Sequence, residues 1–423
     1  MKHTIFLFAL LLFQVQLLNA QQFAEADPSA IGLLPDRLDR IDTTILKAIK
    51  NGEIPGAVAL IARNGKIGYH KSFGYADIAS KTKMQNESIF RIASMTKAVT
   101  SVGIMILYER GHFKLGDPIS KFIPEFRKPS VLVKADSLGN IVETKPAKRE
   151  IRIIDLLTHT SGIGYPFTRS KLQKSYHKED IIDGLTSEDY VLKNQMLKLA
   201  KMPLLFEPGE AYRYGLSIDL LGYLCEVISG KPLDAFFSEE IFQPLKMNDT
   251  HFYLPKNKSN RLVTLYSFKS DQGLISPGTS ALGKSPPFNN NYPIEGTKTY
   301  FSGGGGLSST TYDYARFTQM LLNEGTLEGT RILSRKSVER MRHPRIDSNK
   351  DGNLNMGFGF SITNLSLSND VGSDGTYGWG GIFYTTYWID PKENLIAVFM
   401  SQVRPRRTDI SIKFRNLVYQ ALE

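Results

Sequence analysis

A serine and a lysine three residues apart, Ser94 and Lys97, carry the most direct chemical signal in this 423-residue sequence. Residues at this spacing lie on the same side of a helix, so the Lys97 amine can accept the Ser94 proton and make the hydroxyl a nucleophile. The same Ser-x-x-Lys spacing occurs at Ser80 and Ser175, within short lysine-rich polar stretches that favour solvated loops. The spacing alone is therefore unspecific, and Ser94 could equally serve only as a helix N-cap.

The residues that follow Ser94 distinguish it from the other two serines. An apolar run from Ala98 to Leu107 is long enough for a buried helix, and Gly111 stands where a C-cap would end it. The N-terminus of a helix carries partial positive charge and free backbone N–H groups, which would stabilise an alkoxide or oxyanion. The pattern predicts a serine nucleophile at the first turn of a buried helix.

The elements that must position this pair form sheet at both ends of the chain and helices between. Residues 57–77 predict two strands joined by Asn64-Gly65, a strong hairpin signal, and a second hairpin is predicted about Gly139-Asn140. Further strands are predicted at 357–363, 383–389 and 395–401, and helices at 37–50, 190–201, 218–228, 311–323 and 411–422. Because neither a repeat nor a linker divides the chain, we expect one domain over 21–423. Its sheet parts lie at about 28–115 and 300–423, and its helical part at about 116–299.

Composition indicates an ordinary globular protein, with 41% hydrophobic and 22% charged residues. The formal net charge is +10, but the basic residues are dispersed, so we expect a solvated surface and no nucleic-acid partner. The single cysteine, Cys225, stands in an apolar stretch and excludes an intrachain disulfide. No clustered Cys/His spacing occurs, so neither a metal nor another cofactor is predicted.

The first twenty residues read as a cleavable secretory signal. They contain Lys2, an apolar core from Ile5 to Leu18 and a small residue, Ala20. A retained membrane anchor is the alternative, although the fully apolar stretch is short for a membrane span. No cysteine lies there to carry a lipid. We therefore expect a periplasmic or secreted protein, not a lipoprotein, that begins near Gln21 and has no stable membrane insertion.

Four further segments complete a pattern with the Ser94 helix. They are 156–162 (LLTHTSG), 207–214 (EPGEAYRY), 303–317 (GGGGLSSTTYDYARF) and 378–381 (GWGG). In this order and spacing they resemble the serine β-lactamase-like superfamily, which contains class C β-lactamases, DD-peptidases and family VIII carboxylesterases. The resemblance implies an α/β (α+β) fold, in which an antiparallel sheet built from both chain ends is flanked by helices, beside an inserted, mostly helical subdomain.

The resemblance also implies roles for matching residues. Ser94 would be the acylated nucleophile, and Lys97 and Tyr214 would transfer protons. Which of Lys97 and Tyr214 takes the Ser94 proton is left open. His159, although it is near Thr160 and invites a triad interpretation, belongs to a structural turn in this family.

The glycine-rich GWGG segment is the implied substrate wall. Gly380 and Gly381 would let their strand approach the acyl group closely, beside Trp379. The backbone N–H groups of Ile382 and Ser94 would then form the oxyanion hole.

Two departures from the lactamase and peptidase branches favour ester substrates. Those branches place Asn two residues after the tyrosine, where this chain has Leu216, and carry Lys-Thr-Gly or a histidine variant where this chain has Trp-Gly-Gly. We therefore expect apolar walls and no cation for a substrate carboxylate. The favoured function is a carboxylesterase acting on a small ester or amide substrate. A D-alanyl peptidase, a weak β-lactamase and a non-catalytic binding protein are the alternatives. The segment 165–201 either forms part of the pocket rim or is surface helix.

Overall fold

The structure is a computed structural model, and it describes residues 22–269, 273–276, 291–344, 355–367, 371–405 and 408–423. The predicted signal segment, residues 1–20, lies outside these ranges. Within the described ranges, no helix combines the length and the apolar character that a membrane span requires.

A large antiparallel sheet joins the two ends of the described chain. The strands, in chain order, are β1 (Gly56–Arg63), β2 (Lys66–Asp77), β3 (Thr82–Lys83), β4 (Phe90–Arg91), β5 (Ser130–Ala135), β6 (Ile141–Pro146), β7 (Ser267–Lys269), β8 (Gly273–Ile275), β9 (Ser308–Ser309), β10 (Thr326–Leu327), β11 (Thr330–Arg331), β12 (Asn355–Met356), β13 (Ser361–Ile362), β14 (Tyr377–Gly381), β15 (Thr385–Asp390) and β16 (Leu395–Met400). The main sheet has the order β12-β13-β14-β15-β16-β1-β2-β3. The pairing of β1 with β16 makes the chain ends fold together, as the sequence predicts.

Helices cover both faces of this sheet. In chain order they are α1 (Pro35–Lys50), α2 (Thr96–Glu109), α3 (Ile153–Leu157), α4 (Gln173–Lys178), α5 (Leu192–Ala200), α6 (Ser217–Ser229), α7 (Leu233–Phe237), α8 (Thr311–Leu322), α9 (Arg335–Met341) and α10 (Ile410–Gln420). Helices α1 and α10 pack together on one face, and α8 crosses the other over β16 and β1. The mixed α/β architecture confirms the predicted fold class.

Helix α2 lies inside the main core. Every residue from Thr96 to Leu107 is buried, which explains why its sequence is apolar on all sides. Gly103 permits the tight packing, because a Cβ there would lie 3.0 Å from the Phe237 ring and 3.1 Å from the Phe236 ring. The helix is therefore a rigid base for residues at its N-terminus.

Two local predictions are wrong. Ser175 lies buried in α4, where its hydroxyl donates a hydrogen bond of 2.7 Å to the Gly139 carbonyl, and is not in a solvated loop. The predicted strand at 357–363 is two short strands, β12 and β13, separated by a turn in which Gly359 has a φ of 86°. A left-handed residue of this kind interrupts extended pairing.

Candidate active site

Ser94 lies in a tight turn two residues before Thr96, the first residue of α2, and not in the first turn of the helix as the sequence predicts. The turn is a 3₁₀ segment, Ala93–Met95, and Ala93 adopts a left-handed φ of 43°. The Tyr314 hydroxyl donates to the Met95 carbonyl at 2.9 Å and holds the turn against α8. Ser94 is consequently only partly buried and faces a cavity, while its neighbours are in the core.

Lys97 is fixed by three oxygen atoms. Its side chain is only 1% exposed, and its Nζ lies 2.6 Å from the Gly304 carbonyl, 3.0 Å from the Tyr165 hydroxyl and 3.4 Å from Ser94 Oγ. The Gly304 carbonyl and the Tyr165 hydroxyl accept hydrogen bonds from Nζ and hold it facing Ser94 Oγ. The lysine is therefore held beside the serine, as its spacing predicts.

Tyr214 reaches Ser94 from the helical part of the fold. Its hydroxyl lies 2.7 Å from Ser94 Oγ, and Lys97 Nζ lies 4.6 Å from the centre of its ring. The adjacent Gly215 passes very close to the LLTHTSG segment, since a Cβ there would lie 2.1 Å from the Ile163 carbonyl. This close packing fixes the tyrosine, so the structure brings all three predicted catalytic side chains together.

His159 supports Tyr214 and makes no contact with the serine. It has a left-handed φ of 55°, and its ring centre is 4.9 Å from that of Tyr214. Its backbone carbonyl accepts a hydrogen bond of 2.7 Å from the Arg213 N–H. Burial, together with the charge of Lys97, holds the pKa of the imidazole well below its usual value, so the ring is neutral.

Beneath Lys97 lies a polar layer that the sequence analysis did not find. Asp219, fully buried on α6, accepts hydrogen bonds from the Ser302 hydroxyl at 2.5 Å and from the Gly304 N–H at 3.2 Å. Burial raises the pKa of Asp219, while the Ser302 hydrogen bond and the charge of Lys97 oppose that rise. Asp219 thus fixes the loop whose Gly304 carbonyl holds Lys97.

Burial also raises the pKa of Tyr165 well above its usual value, so this phenol stays protonated. Two of the groups that hold Lys97 lie in segments that the sequence analysis singles out. Gly304 belongs to the segment 303–317 and Tyr165 begins the segment 165–201, but the sequence alone places neither of them beside Lys97.

Strand β14 forms the opposite wall. Its pairing with β13 ends at Gly378, so the next three residues pair only with β15 and present a free edge. A Cβ at Gly381 would lie 2.4 Å from the Ile92 carbonyl, so only glycine lets this edge lie against the Ser94 turn. The Trp379 ring centre is 5.8 Å from that of Tyr214, which places the tryptophan beside the tyrosine that contacts Ser94.

These side chains open into one cavity of about 680 Å³. Its lining contains predicted site residues from both walls, which are Ser94, Tyr214, Trp379, Gly380, Gly381 and Ile382. Phe167 also lines it, in agreement with the rim interpretation of its segment. Leu216 does not: it is fully buried at the start of α6, and the expectation that it forms a cavity wall is wrong.

Arg404 lines the same cavity, and no motif pointed to it. The cavity lining therefore includes a basic residue that the sequence analysis does not anticipate. In the described part of the chain, no group of three or more His, Cys, Asp or Glu residues is arranged to hold a metal ion.

A buried lysine and a tyrosine on either side of a serine, between an antiparallel sheet and a helical layer, define a serine hydrolase of the β-lactamase fold. Comparison with known proteins agrees. The beta-lactamase family model matches residues 41–420, and the chain belongs to that family.

Several relatives extend over nearly the whole chain. An uncharacterized protein of Mycobacterium tuberculosis is 33% identical over 390 residues, which are 89% of this chain and 92% of the relative. Esterase EstB of Burkholderia gladioli is 28% identical and covers 94% of this chain and 99% of its own length. Lovastatin esterase of Penicillium rubens is also 28% identical, and the match covers 90% of this chain and 98% of the esterase.

Solved structures show the same architecture. EstCE1, described as a hydrolase with promiscuous acyltransferase activity, superposes with a TM-score of 0.78 at 28% identity and covers 90% of this chain and 98% of its own. One mutant form of simvastatin synthase LovD of Aspergillus terreus superposes with a TM-score of 0.75 at 24% identity. The match covers 92% of this chain and 98% of that structure, and at this identity it shows the fold alone. The predicted resemblance to the β-lactamase-like superfamily, near its esterases, is confirmed.

Proposed function

We propose that this protein is a secreted serine hydrolase that cleaves carboxylic esters through an acyl-Ser94 intermediate, with Lys97 and Tyr214 as its proton-transfer groups. The 2.7 Å contact between the Tyr214 hydroxyl and Ser94 Oγ carries the proposal. This contact places the Tyr214 phenol within hydrogen-bonding distance of the nucleophile, as proton transfer requires. The relatives named as esterases support the substrate class.

In the proposed acylation step, Ser94 Oγ attacks the ester carbonyl and its proton passes to Tyr214 or Lys97. The tetrahedral intermediate expels the alcohol, which leaves with a proton returned from the same pair. In the alternative in which Tyr214 takes the proton, a protonated Lys97 would stabilise the phenolate, since its Nζ lies 4.6 Å from the Tyr214 ring centre.

Deacylation follows the same route in reverse, with water in place of the alcohol. Tyr214 would take a proton from the water as the water oxygen attacks the acyl carbon, and Ser94 Oγ would leave with a proton returned from the same pair. The oxyanion formed in each step would be bound by the backbone N–H groups of Ser94 and Ile382, which border the same cavity.

The expected preference for esters depends on Trp379 and not on Leu216. Leu216 lies in the core and makes no substrate wall, so that part of the sequence argument no longer supports the preference. Trp379 still occupies the position at which lactamases and peptidases carry a cation or histidine. An amide substrate would leave its polar groups without partners against this ring, which costs affinity once they are desolvated.

We therefore expect short-chain esters to be hydrolysed much faster than β-lactams or D-alanyl peptides. The measurement is kcat/KM for p-nitrophenyl acetate, butyrate and octanoate beside nitrocefin and a D-alanyl-D-alanine peptide. A value for nitrocefin equal to or above that for butyrate would return the chain to the lactamase or peptidase branch.

Secretion is tested separately. We expect the exported protein to begin near Gln21, because Ala20 ends the signal-like segment. Intact-mass measurement of protein exported by a bacterial host gives the cleavage site. Recovery of uncleaved chain that keeps Met1 and sediments with membranes would instead support an anchor.

A further inference from the structure

Arg404 is held at the cavity by backbone contacts on two sides. Its own N–H donates to the Tyr266 carbonyl at 2.8 Å, and the preceding Val403 N–H donates to the Phe383 carbonyl at 3.1 Å. The residue follows β16 and lines the cavity that contains Ser94. The backbone at Arg404 is therefore fixed, and it holds a positively charged residue in the cavity lining.

Two buried arginines elsewhere in the fold serve as a comparison, because their guanidinium groups have acceptors within the protein. Arg91 is fully buried and donates to the Tyr292 carbonyl at 2.6 Å and the Val263 carbonyl at 2.8 Å. Arg316 donates to the Leu245 carbonyl and forms a salt bridge with Glu328 at 2.7 Å. Both are satisfied by acceptors of the chain itself, as buried charges require.

Arg404 lacks such acceptors among the residues that the structure describes. Its side chain makes no hydrogen bond or salt bridge there, and its charge interacts at longer range with Asp183. The Asp183 carboxylate already accepts a hydrogen bond from the backbone N–H of Leu185. Burial lowers the pKa of Arg404 and Asp183 opposes this, yet a guanidinium remains cationic near neutral pH. Arg404 is thus a partly buried cation in the cavity lining, with N–H donors that no described residue accepts.

We propose that Arg404 binds a carboxylate carried by the substrate, so that the preferred substrates are monoanionic esters such as half-esters of dicarboxylic acids. A guanidinium offers two parallel N–H donors that match the two oxygens of a carboxylate. The proposal rests on ester hydrolysis at Ser94 and adds the charge of the substrate to it. Arg404 is a binding residue here and takes no part in proton transfer.

The test uses pairs of esters that differ only in charge. The first pair is 4-nitrophenyl hydrogen glutarate and its methyl ester, with the charge on the acyl side. The second is 3-acetoxybenzoate and methyl 3-acetoxybenzoate, with the charge on the alcohol side. In at least one pair we expect the full-length wild-type protein to prefer the anion by about tenfold or more in kcat/KM, the scale of a charge-assisted hydrogen bond.

Variants separate the local contact from the net charge of the protein. Arg404→Met should reduce the preference of anion over neutral ester by about 10- to 100-fold, and Arg404→Lys should restore part of it. Arg335→Met is the matched control, because it removes one positive charge from an exposed side chain on α9 and should leave the preference unchanged. Equal rates for both members of both wild-type pairs, or an unchanged preference in Arg404→Met, would overturn the proposal.

A second readout needs no turnover and separates this proposal from the proposed function. Monomethyl glutarate should slow labelling of Ser94 by a fluorophosphonate, whereas dimethyl glutarate should not, and Arg404→Met should abolish the difference. If no ester is hydrolysed but this protection appears, the esterase assignment fails and the carboxylate site stands. If esters are hydrolysed but neither protection nor charge preference appears, the esterase assignment stands and the carboxylate site is wrong.

Discussion

Replacement of Ser94 by alanine is expected to abolish covalent labelling by a fluorophosphonate and to lower kcat for ester hydrolysis by on the order of 10⁶, the scale found when a serine nucleophile is removed. The Ser94 hydroxyl oxygen is the attacking atom, and in the described part of the chain no other serine hydroxyl is hydrogen-bonded to Lys97 or Tyr214. The thermal midpoint should hardly change, because the Ser94 side chain is only partly buried and, among the described residues, hydrogen-bonds only to these two. Mass spectrometry of the labelled protein and a thermal melt measure both effects.

Ser80→Ala is the matched control for this experiment. Ser80 has the same Ser-x-x-Lys spacing, but it is exposed, and its hydroxyl interacts with Asp77 and Thr82. Labelling and activity should survive this substitution. Full labelling of the Ser94→Ala protein would show that another residue is the nucleophile.

The parts of the site that the sequence predicts are those defined by local geometry. Ser94 and Lys97 are three residues apart at a helix start, so helical spacing alone places them together. The hairpin of β1 and β2 follows from Asn64-Gly65, whose φ values of 53° and 72° suit its turn. In both cases the determining interactions lie within a few residues of one another.

What the sequence does not predict depends on distant segments or on side-chain direction. The Gly304 carbonyl that holds Lys97 is 207 positions away, and Tyr165 is 68 positions away. Leu216 was assigned from its offset to Tyr214, but α6 begins beside it and turns its side chain into the core. Arg404 belongs to no motif, and only the close approach of the segment after β16 to the Ser94 turn gives it a place in the cavity.

The polar layer under Lys97 explains how a lysine amine is tolerated in the core. Its Nζ is hydrogen-bonded to the Gly304 carbonyl, and the loop that supplies Gly304 is itself held by Asp219 through two hydrogen bonds. A buried polar group is costly unless it is hydrogen-bonded, so this arrangement offsets the desolvation of Lys97. It also limits the motion of Nζ relative to Ser94 Oγ.

Removal of either proton-transfer group should produce the second large effect. Tyr214→Phe and Lys97→Met are each expected to lower kcat by on the order of 10²–10⁴, the range for positioned acid–base catalysis. Tyr214→Phe keeps the ring that packs on His159 and Trp379 and removes only the hydroxyl at 2.7 Å from Ser94. Its loss of rate should therefore be chemical, with little loss of stability.

Tyr212→Phe is the control for Tyr214, since Tyr212 stands two residues earlier and its ring packs edge-on against His159, 6.0 Å between centres. Its activity should stay near that of the wild type. Burst kinetics with p-nitrophenyl butyrate then separate the two steps: a variant that lacks the acylation base loses the burst, whereas a variant impaired only in deacylation keeps the burst and slows afterwards. Because Tyr214 lies closer to Ser94 Oγ than Lys97 does, 2.7 Å against 3.4 Å, the burst should be lost more completely in Tyr214→Phe. Wild-type rates in both variants would remove the roles assigned here and leave Ser94 to be activated by its position at the helix start alone.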